Sequence, residues 1–350
     1  MTFEDVLEIK NGRNQRAVEN PEGKYPIYGS GGIMGYADDY ICDAQTVIVG
    51  RKGSINNPLY VEEPFWNVDT AFGLCANRAV LLPRYLYYFC KRFDFERLNK
   101  AVTIPSLTKS DLLKIEIDLP RLEEQQEVVN QLIKTEQIIE LRKKELEELD
   151  NLIKSRFVEM FGDPVLNPYG WKQTTLKDVA VGKLSYGSGA SAVEFDGTCR
   201  YVRITDITES GGLNDDIKSP DKYDEKYLLH DGDVLFARSG ATVGKTLRYS
   251  SEKHGKGIYA GYLIRLVPNI EKVLPDYVFY YTKTEYYASF VKKAQRAVAQ
   301  PNINAQEYGD LTICVPPINL QEDFMTFVTQ VDKLKFMNLN QKYIMQKRGE

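Results

Sequence analysis

Two rhythms of apolar positions divide the chain. Short apolar runs at Thr46–Val49, Lys114–Leu119, Val234–Ala237, Tyr262–Val267 and Leu311–Val315 lie between Gly-rich turns and predict strands. A helical stretch follows each Leu-Pro pair, Leu82-Pro83 and Leu274-Pro275. The second rhythm begins after Pro120 and again after Pro316-Pro317. There Val128, Leu132, Thr135, Ile139, Arg142, Leu146, Leu149, Ile153 and Met160 recur at steps near four and three, as do Leu320, Phe324, Phe327, Val331, Leu334 and Asn338. This is a heptad seam, stopped in the first case by Gly162-Asp163-Pro164. One amphipathic helix cannot hide such a seam, so the two segments are expected to pair as a long antiparallel coiled coil. The competing expectation, packing of each helix only on its own globule, is disfavoured by length. Roughly 36 residues at ~1.5 Å each span ~54 Å, more than the width of a globule of about 120 residues.

The elements recur in order. Thr2-Phe3-Glu4-Asp5-Val6 is echoed by Thr175-Leu176-Lys177-Asp178-Val179, and Thr46 to Gly53 by Asp233 to Gly240. Leu82 to Tyr88 returns as Leu274 to Tyr280, and Ile117 to Gln125 as Ile313 to Gln321. The offset grows from 173 to 196, so the second copy carries 23 further residues in its loops. The expected architecture is α+β: two tandem α+β domains at 1–120 and 166–318, a central helical spacer at 121–165 and a C-terminal helical spacer at 319–350.

Composition narrows the class. A chain of 350 residues with 43% hydrophobic and 27% charged side chains can bury more than one core. No window is long and apolar enough to span a bilayer, and the opening Met1-Thr2-Phe3-Glu4-Asp5-Val6 has no export signal, so a cytoplasmic location and no membrane partner are expected. Five scattered cysteines fit reduced thiols and offer no metal-ligand spacing. The net charge of −4 conceals segregation: residues 84–109 carry six basic and two acidic side chains. A global balance of this kind does not exclude a local basic patch.

The familiar catalytic patterns are incomplete. Ser239-Gly240-Ala-Thr-Val-Gly244-Lys245-Thr246 is one residue short of a phosphate-cradling loop, and Gly29-Ser-Gly31-Gly-Ile-Met34-Gly35 lacks the last glycine of a dinucleotide fingerprint and reads as a hairpin turn. Asn57-Pro58-Leu59-Tyr60 lacks the second proline of a base-flipping methyltransferase loop. The histidines, His230 and His254, have no partner at telling spacing and are expected in exposed loops. What remains is binding. After a strand, each copy places a basic residue among small ones: Arg51, Lys52 and Ser54 in the first; Arg238, Ser239, Thr242 and Lys245 in the second. An arginine beside glycine can bring its guanidinium fork to guanine or phosphate. Each copy adds an aromatic helix with a basic tip and a polar loop, giving Arg92, Lys100 and Lys109, and Lys292, Lys293, Arg296 and Asn302, as further DNA contacts.

On these residues the chain resembles the DNA-specificity subunit of type I restriction-modification systems. The resemblance rests on Asp231-Gly-Asp-Val-Leu-Phe-Ala-Arg-Ser-Gly240, Gln300-Pro-Asn-Ile303 and Leu119-Pro-Arg-Leu-Glu-Glu-Gln125, and it covers nearly the whole chain. It implies two target-recognition domains that read a bipartite double-stranded DNA sequence, one half-site each. It also implies docking of two methyltransferase subunits, then of restriction (motor-nuclease) subunits, with no catalysis and no cofactor in this chain. S-adenosylmethionine, ATP and Mg are expected on those partner subunits. The rival readings are a free-standing DNA adenine methyltransferase or nuclease and a coiled-coil scaffold that does not bind DNA.

Overall fold

The computed structural model describes residues 1–100, 104–296 and 301–348, the side chains of Arg296 and of residues 338–348 being outside the description. It contains two compact units, one built on Met1–Leu141 and one on Arg142–Ile344.

In the first unit the strand Thr46–Gly50 is buried at all five positions, as its uninterrupted apolar run requires. It pairs antiparallel with Ala71–Ala76 on one side and with Leu59–Val61 on the other, and Leu7–Asn11 completes the sheet beyond Ala71–Ala76. Phe3, Val49, Phe72, Leu74, Leu86 and Phe95 form the core between this sheet and the helix Pro83–Arg92. The glycine-rich segment is a hairpin joining Tyr25–Gly29 to Gly32–Ala37, with Gly29 opposite Gly32.

The second unit has the same strand order: Ser185–Tyr186, Leu263–Leu266, Val234–Ala237 and Thr246–Arg248, all antiparallel. The four residues of Val234–Ala237 are again buried. Below them lies one continuous core that includes Ile153, Phe157 and Phe161 of the central helix Leu122–Phe161 and Phe324, Val328 and Val331 of the C-terminal helix Ile318–Arg348. Phe157 and Phe324 meet with ring centroids 5.4 Å apart. Farther along, Asp150 takes the ammonium of Lys335 at 2.6 Å. The first position falls from 157 to 150 while its partner rises from 324 to 335, so the two helices pair antiparallel here.

Four local expectations change. In the first unit Val129 is buried and Val128 is 41% exposed, because the start of the central helix is oriented by the buried Gln125 rather than by a helical partner. In the C-terminal helix Val328 is buried and Leu334 is 51% exposed, so the seam includes a position not in the expected set and loses one that was. Lys114–Leu119 makes only an isolated bridge, Thr2 to Glu116. The aromatic helix of the second copy breaks into Pro275–Tyr281 and Glu285–Arg296. At the break the hydroxyls of Thr282 and Thr284 donate to the carbonyls of Phe279 and Tyr281, at 2.6 and 2.7 Å. Such local bonds compete with helical continuation.

Candidate nucleic-acid interface

The same backbone latch closes both copies. Where the buried central strand ends, the chain turns into the basic loop and is caught by a second segment more than fifty residues downstream. In the first unit Leu107 N donates to Arg51 O at 2.9 Å and Gly53 N to Pro105 O at 3.1 Å, with Lys52 bridged to Ser106. In the second Ile303 N donates to Arg238 O at 2.8 Å and Gly240 N to Pro301 O at 3.2 Å, with Ser239 bridged to Asn302. Arg51 N is held by Thr70 O at 2.8 Å and Arg238 N by Tyr262 O at 3.1 Å, each acceptor lying on the neighbouring chain segment. Extended backbone paired on both sides cannot flex far, so each loop stands at a fixed place at the end of its sheet.

Each copy also has a glutamine lock. Gln125 is fully buried; its carbonyl accepts from Leu82 N at 2.9 Å and its amide donates to Val80 O and Pro120 O at 2.8 and 2.9 Å. Gln321 repeats the pattern with Leu274 N at 2.8 Å and the carbonyls of Lys272 and Pro316 at 3.3 and 2.9 Å. Both glutamines thus tie the entry to an aromatic helix to the first turn of a long helix.

The side chains differ. In the first loop Arg51, Lys52 and Ser54 are exposed. Arg51 donates through Nη1 to the Asp69 carbonyl at 3.4 Å and lies 5.9 Å from the Phe72 ring centroid. Arg92 is exposed at the helix end, whereas Lys100 pairs with Asp111 at 3.0 Å and Lys109 donates to the Ile9 carbonyl at 2.7 Å. In the second loop Arg238 donates through Nε to Asn302 Oδ1 at 3.2 Å, with its guanidinium 4.8 Å from the Tyr186 ring centroid. The segment taken for a shortened phosphate loop is a 3-10 turn at Gly240–Thr242, with the Thr242 hydroxyl donating to Ser239 O at 3.3 Å. Lys245 pairs with Glu209 at 2.8 Å.

The helix carrying Lys292 and Lys293 is packed against this loop. Gly244 sits at φ +88, where a Cβ would come within 2.6 Å of Val291, and Tyr287 donates its hydroxyl to the Gly244 carbonyl at 2.9 Å. Tyr287 and Val291 face inward, leaving Lys292 and Lys293 exposed on the other face. Arg296 closes the helix, and its side chain lies outside the described residues, as do residues 101–103 and 297–300 of the two polar loops. Lys283, on the same aromatic stretch, is withdrawn from solvent: it lies 4.6 Å from the Phe279 ring centroid, and burial pushes its ammonium down to about 8.

Sequence reasoning missed Tyr186 and Tyr262, which are 42% and 63% exposed. Only the strand order brings them beside Arg238, though an aromatic inside the glycine-rich run Ser185-Tyr186-Gly187 was a usable signal. His230 is exposed as expected, but His254 is not. It lies against Tyr249 and accepts from Ser250 N at 3.2 Å, and burial, followed by the nearby Arg200, Lys253 and Arg248, pushes it down to about 4. Tyr60 packs under Arg84, 4.1 Å from its ring centroid, and is therefore not placed like a base-flipping aromatic. No cluster of His, Cys, Asp or Glu among the described residues could hold a metal ion, and no helix among them is long and apolar enough to cross a membrane.

A family model for the type I restriction modification DNA specificity domain matches residues 1–151 and 168–344. The chain belongs to this family. It is 24% identical over 330 residues to the type I restriction enzyme MjaIX specificity subunit of Methanocaldococcus jannaschii, a match covering 85% of this chain and 71% of the relative. The MjaVIII specificity subunit of the same organism is 21% identical over 313 residues, covering 83% and 70%. Among solved structures, the S subunit of a type I restriction-modification system from M. genitalium matches over 100% of this chain and 93% of its own, with TM-score 0.57 and 17% identity. A chain from a study of complex assembly and conformational transition in the type I R-M system reaches TM-score 0.61 at 16% identity, covering 100% and 94%. These two share the fold. As a member of a family of specificity subunits, the chain is a DNA-recognition subunit of a type I system, and catalysis is not its role.

Proposed function

We propose that each unit reads one half of a bipartite DNA sequence through its latched loop, and that the helical segments dock the catalytic subunits of the complex. The observation that carries this reading is the repeated latch: two copies hold a basic loop at the same end of the same sheet by the same backbone bonds. On this reading Arg51, Lys52 and Ser54, together with Arg92, face DNA in the first unit. Arg238, Ser239, Thr242 and Asn302, with Lys292 and Lys293, face it in the second. Lys100, Lys109 and Lys245 reach phosphate only by exchanging their present partners. The docked subunits are methyltransferases and motor-nucleases, which bring S-adenosylmethionine, ATP and Mg with them.

Domain exchange tests the proposal. The second domain, residues 166–318, is replaced by that of a relative with a different target, and methylated sites are mapped in the assembled complex. One half of the recognised sequence should change while the other stays. A change in both halves would overturn the assignment of one half-site to each unit.

A further inference from the structure

Arg238 is held from three directions. Its backbone is latched through Tyr262 and Ile303, its Nε is engaged by Asn302 Oδ1, and the Tyr186 ring lies against its guanidinium. The holders are themselves fixed. The Tyr186 hydroxyl accepts from Ala305 N at 3.0 Å, at the start of the helix Ala305–Gly309, which is closed by a capping box of Asn304 and Glu307. Asn302 sits in the bridge to Ser239. An arginine side chain ordinarily loses considerable rotamer entropy when it binds. Here much of that ordering is already present in the unbound chain.

The pattern of contacts matters as much as their number. Engagement is at Nε, and among the described residues the two terminal nitrogens make no hydrogen bond and Arg238 has no acidic partner. A planar fork with its outer nitrogens free matches the O6 and N7 acceptors of guanine in the major groove. Phosphate also accepts this fork, but it exposes several equivalent oxygens, whereas a base edge presents O6 and N7 in one plane and gains more from a guanidinium held in a fixed orientation. Arg51 of the first unit lacks the arrangement, because one of its terminal nitrogens is directed to the Asp69 carbonyl.

We infer that Arg238 reads a guanine in the half-site of the second unit, with Tyr186 and Asn302 as positioning residues. This rests on the reading of the second unit as a DNA reader. The test is selection from random duplex DNA by the full chain assembled with its methyltransferase partners, comparing wild type with Arg238→Lys, Arg238→Ala, Tyr186→Phe and Tyr186→Ala. Wild type should select a guanine at one position of one half-site. Arg238→Ala and Arg238→Lys should relax that position by roughly 10- to 100-fold and leave the others intact. Tyr186→Ala should relax it too, and Tyr186→Phe, which keeps the ring, should restore most of it. Replacing that guanine by 7-deazaguanine should weaken wild type and leave Arg238→Ala unaffected. An unchanged preference in both Arg238 variants would overturn the guanine assignment, as would uniform weakening at all positions, the mark of a phosphate contact. Failure of wild type to select any sequence would instead overturn the underlying DNA-reader assignment. Matching thermal melts of the variants establish that folding is unaltered.

Discussion

The two basic loops share a backbone and diverge in their side chains. In the first, Arg51 and Lys52 are exposed and Arg51 makes long contacts to the Asp69 carbonyl and the Phe72 ring, whereas in the second Arg238 is braced by Tyr186 and Asn302. The latch is built from main-chain hydrogen bonds, and each lock depends on a single glutamine side chain bonded to main-chain groups. On the proposed reading, the loop's outward side chains are the part that varies with the DNA sequence, and the latch is the scaffold that presents them.

The largest expected effect tests whether the units are independent. Phe157→Ala removes a buried ring that touches Tyr277 and Phe324, and should destabilise the second unit by about 3–5 kcal/mol. In a denaturation experiment that resolves two transitions, only that of the second unit should move. Next come the locks. Gln125→Ala and Gln321→Ala each leave one N–H and two carbonyls without their partner, and each should cost its own unit about 2–4 kcal/mol. Unequal costs would show that the locks differ in importance despite their shared geometry.

Acid should separate the units further, since the first contains no histidine. In the second, His254 titrates near 4 when folded against an ordinary value of about 6.5 when unfolded. The folded state thus favours the neutral ring, and this contribution is complete above pH 6.5 and lost as the pH falls from there towards 4. Because the group is only half-buried, about 1 kcal/mol is expected after allowing for solvent screening. A melting series for wild type and His254→Gln over that range measures it, and the variant should lack this component. The smallest effect concerns Lys245. Its partner Glu209 is 87% exposed, so Glu209→Gln should alter stability by less than about 1 kcal/mol, yet leave the ammonium held only by the Ile207 carbonyl and raise DNA affinity slightly at low salt. A fall in affinity would contradict that role for Lys245.

The repeat was legible because its signals are local. Thr2 with Asp5 and Thr175 with Asp178 each form a capping box, and the buried strands are uninterrupted apolar runs. The Leu-Pro helix starts and the glutamines that follow each Pro are likewise fixed by short stretches of chain. The bracing of Arg238 was not legible, because it joins residues 186, 238 and 302, which only strand order brings together. The sequence showed the charges of Lys100 and Lys109 but not the partners that hold them in this structure, Asp111 and the Ile9 carbonyl. Heptad spacing misplaced Val128 because it assumes a helical partner, whereas Gln125 and Glu136 of this helix bond Leu82, Val80 and Tyr88 of the first globule.

The central claim is that the latched loops are the surface that meets DNA. Amide hydrogen exchange of the assembled complex, with and without duplex containing the mapped methylation site, tests it most directly. Added protection should appear in both latches, at residues 51–54 with 104–107 and at 238–242 with 301–303. Specific binding accompanied by protection elsewhere, with both latches unaltered, would contradict the account.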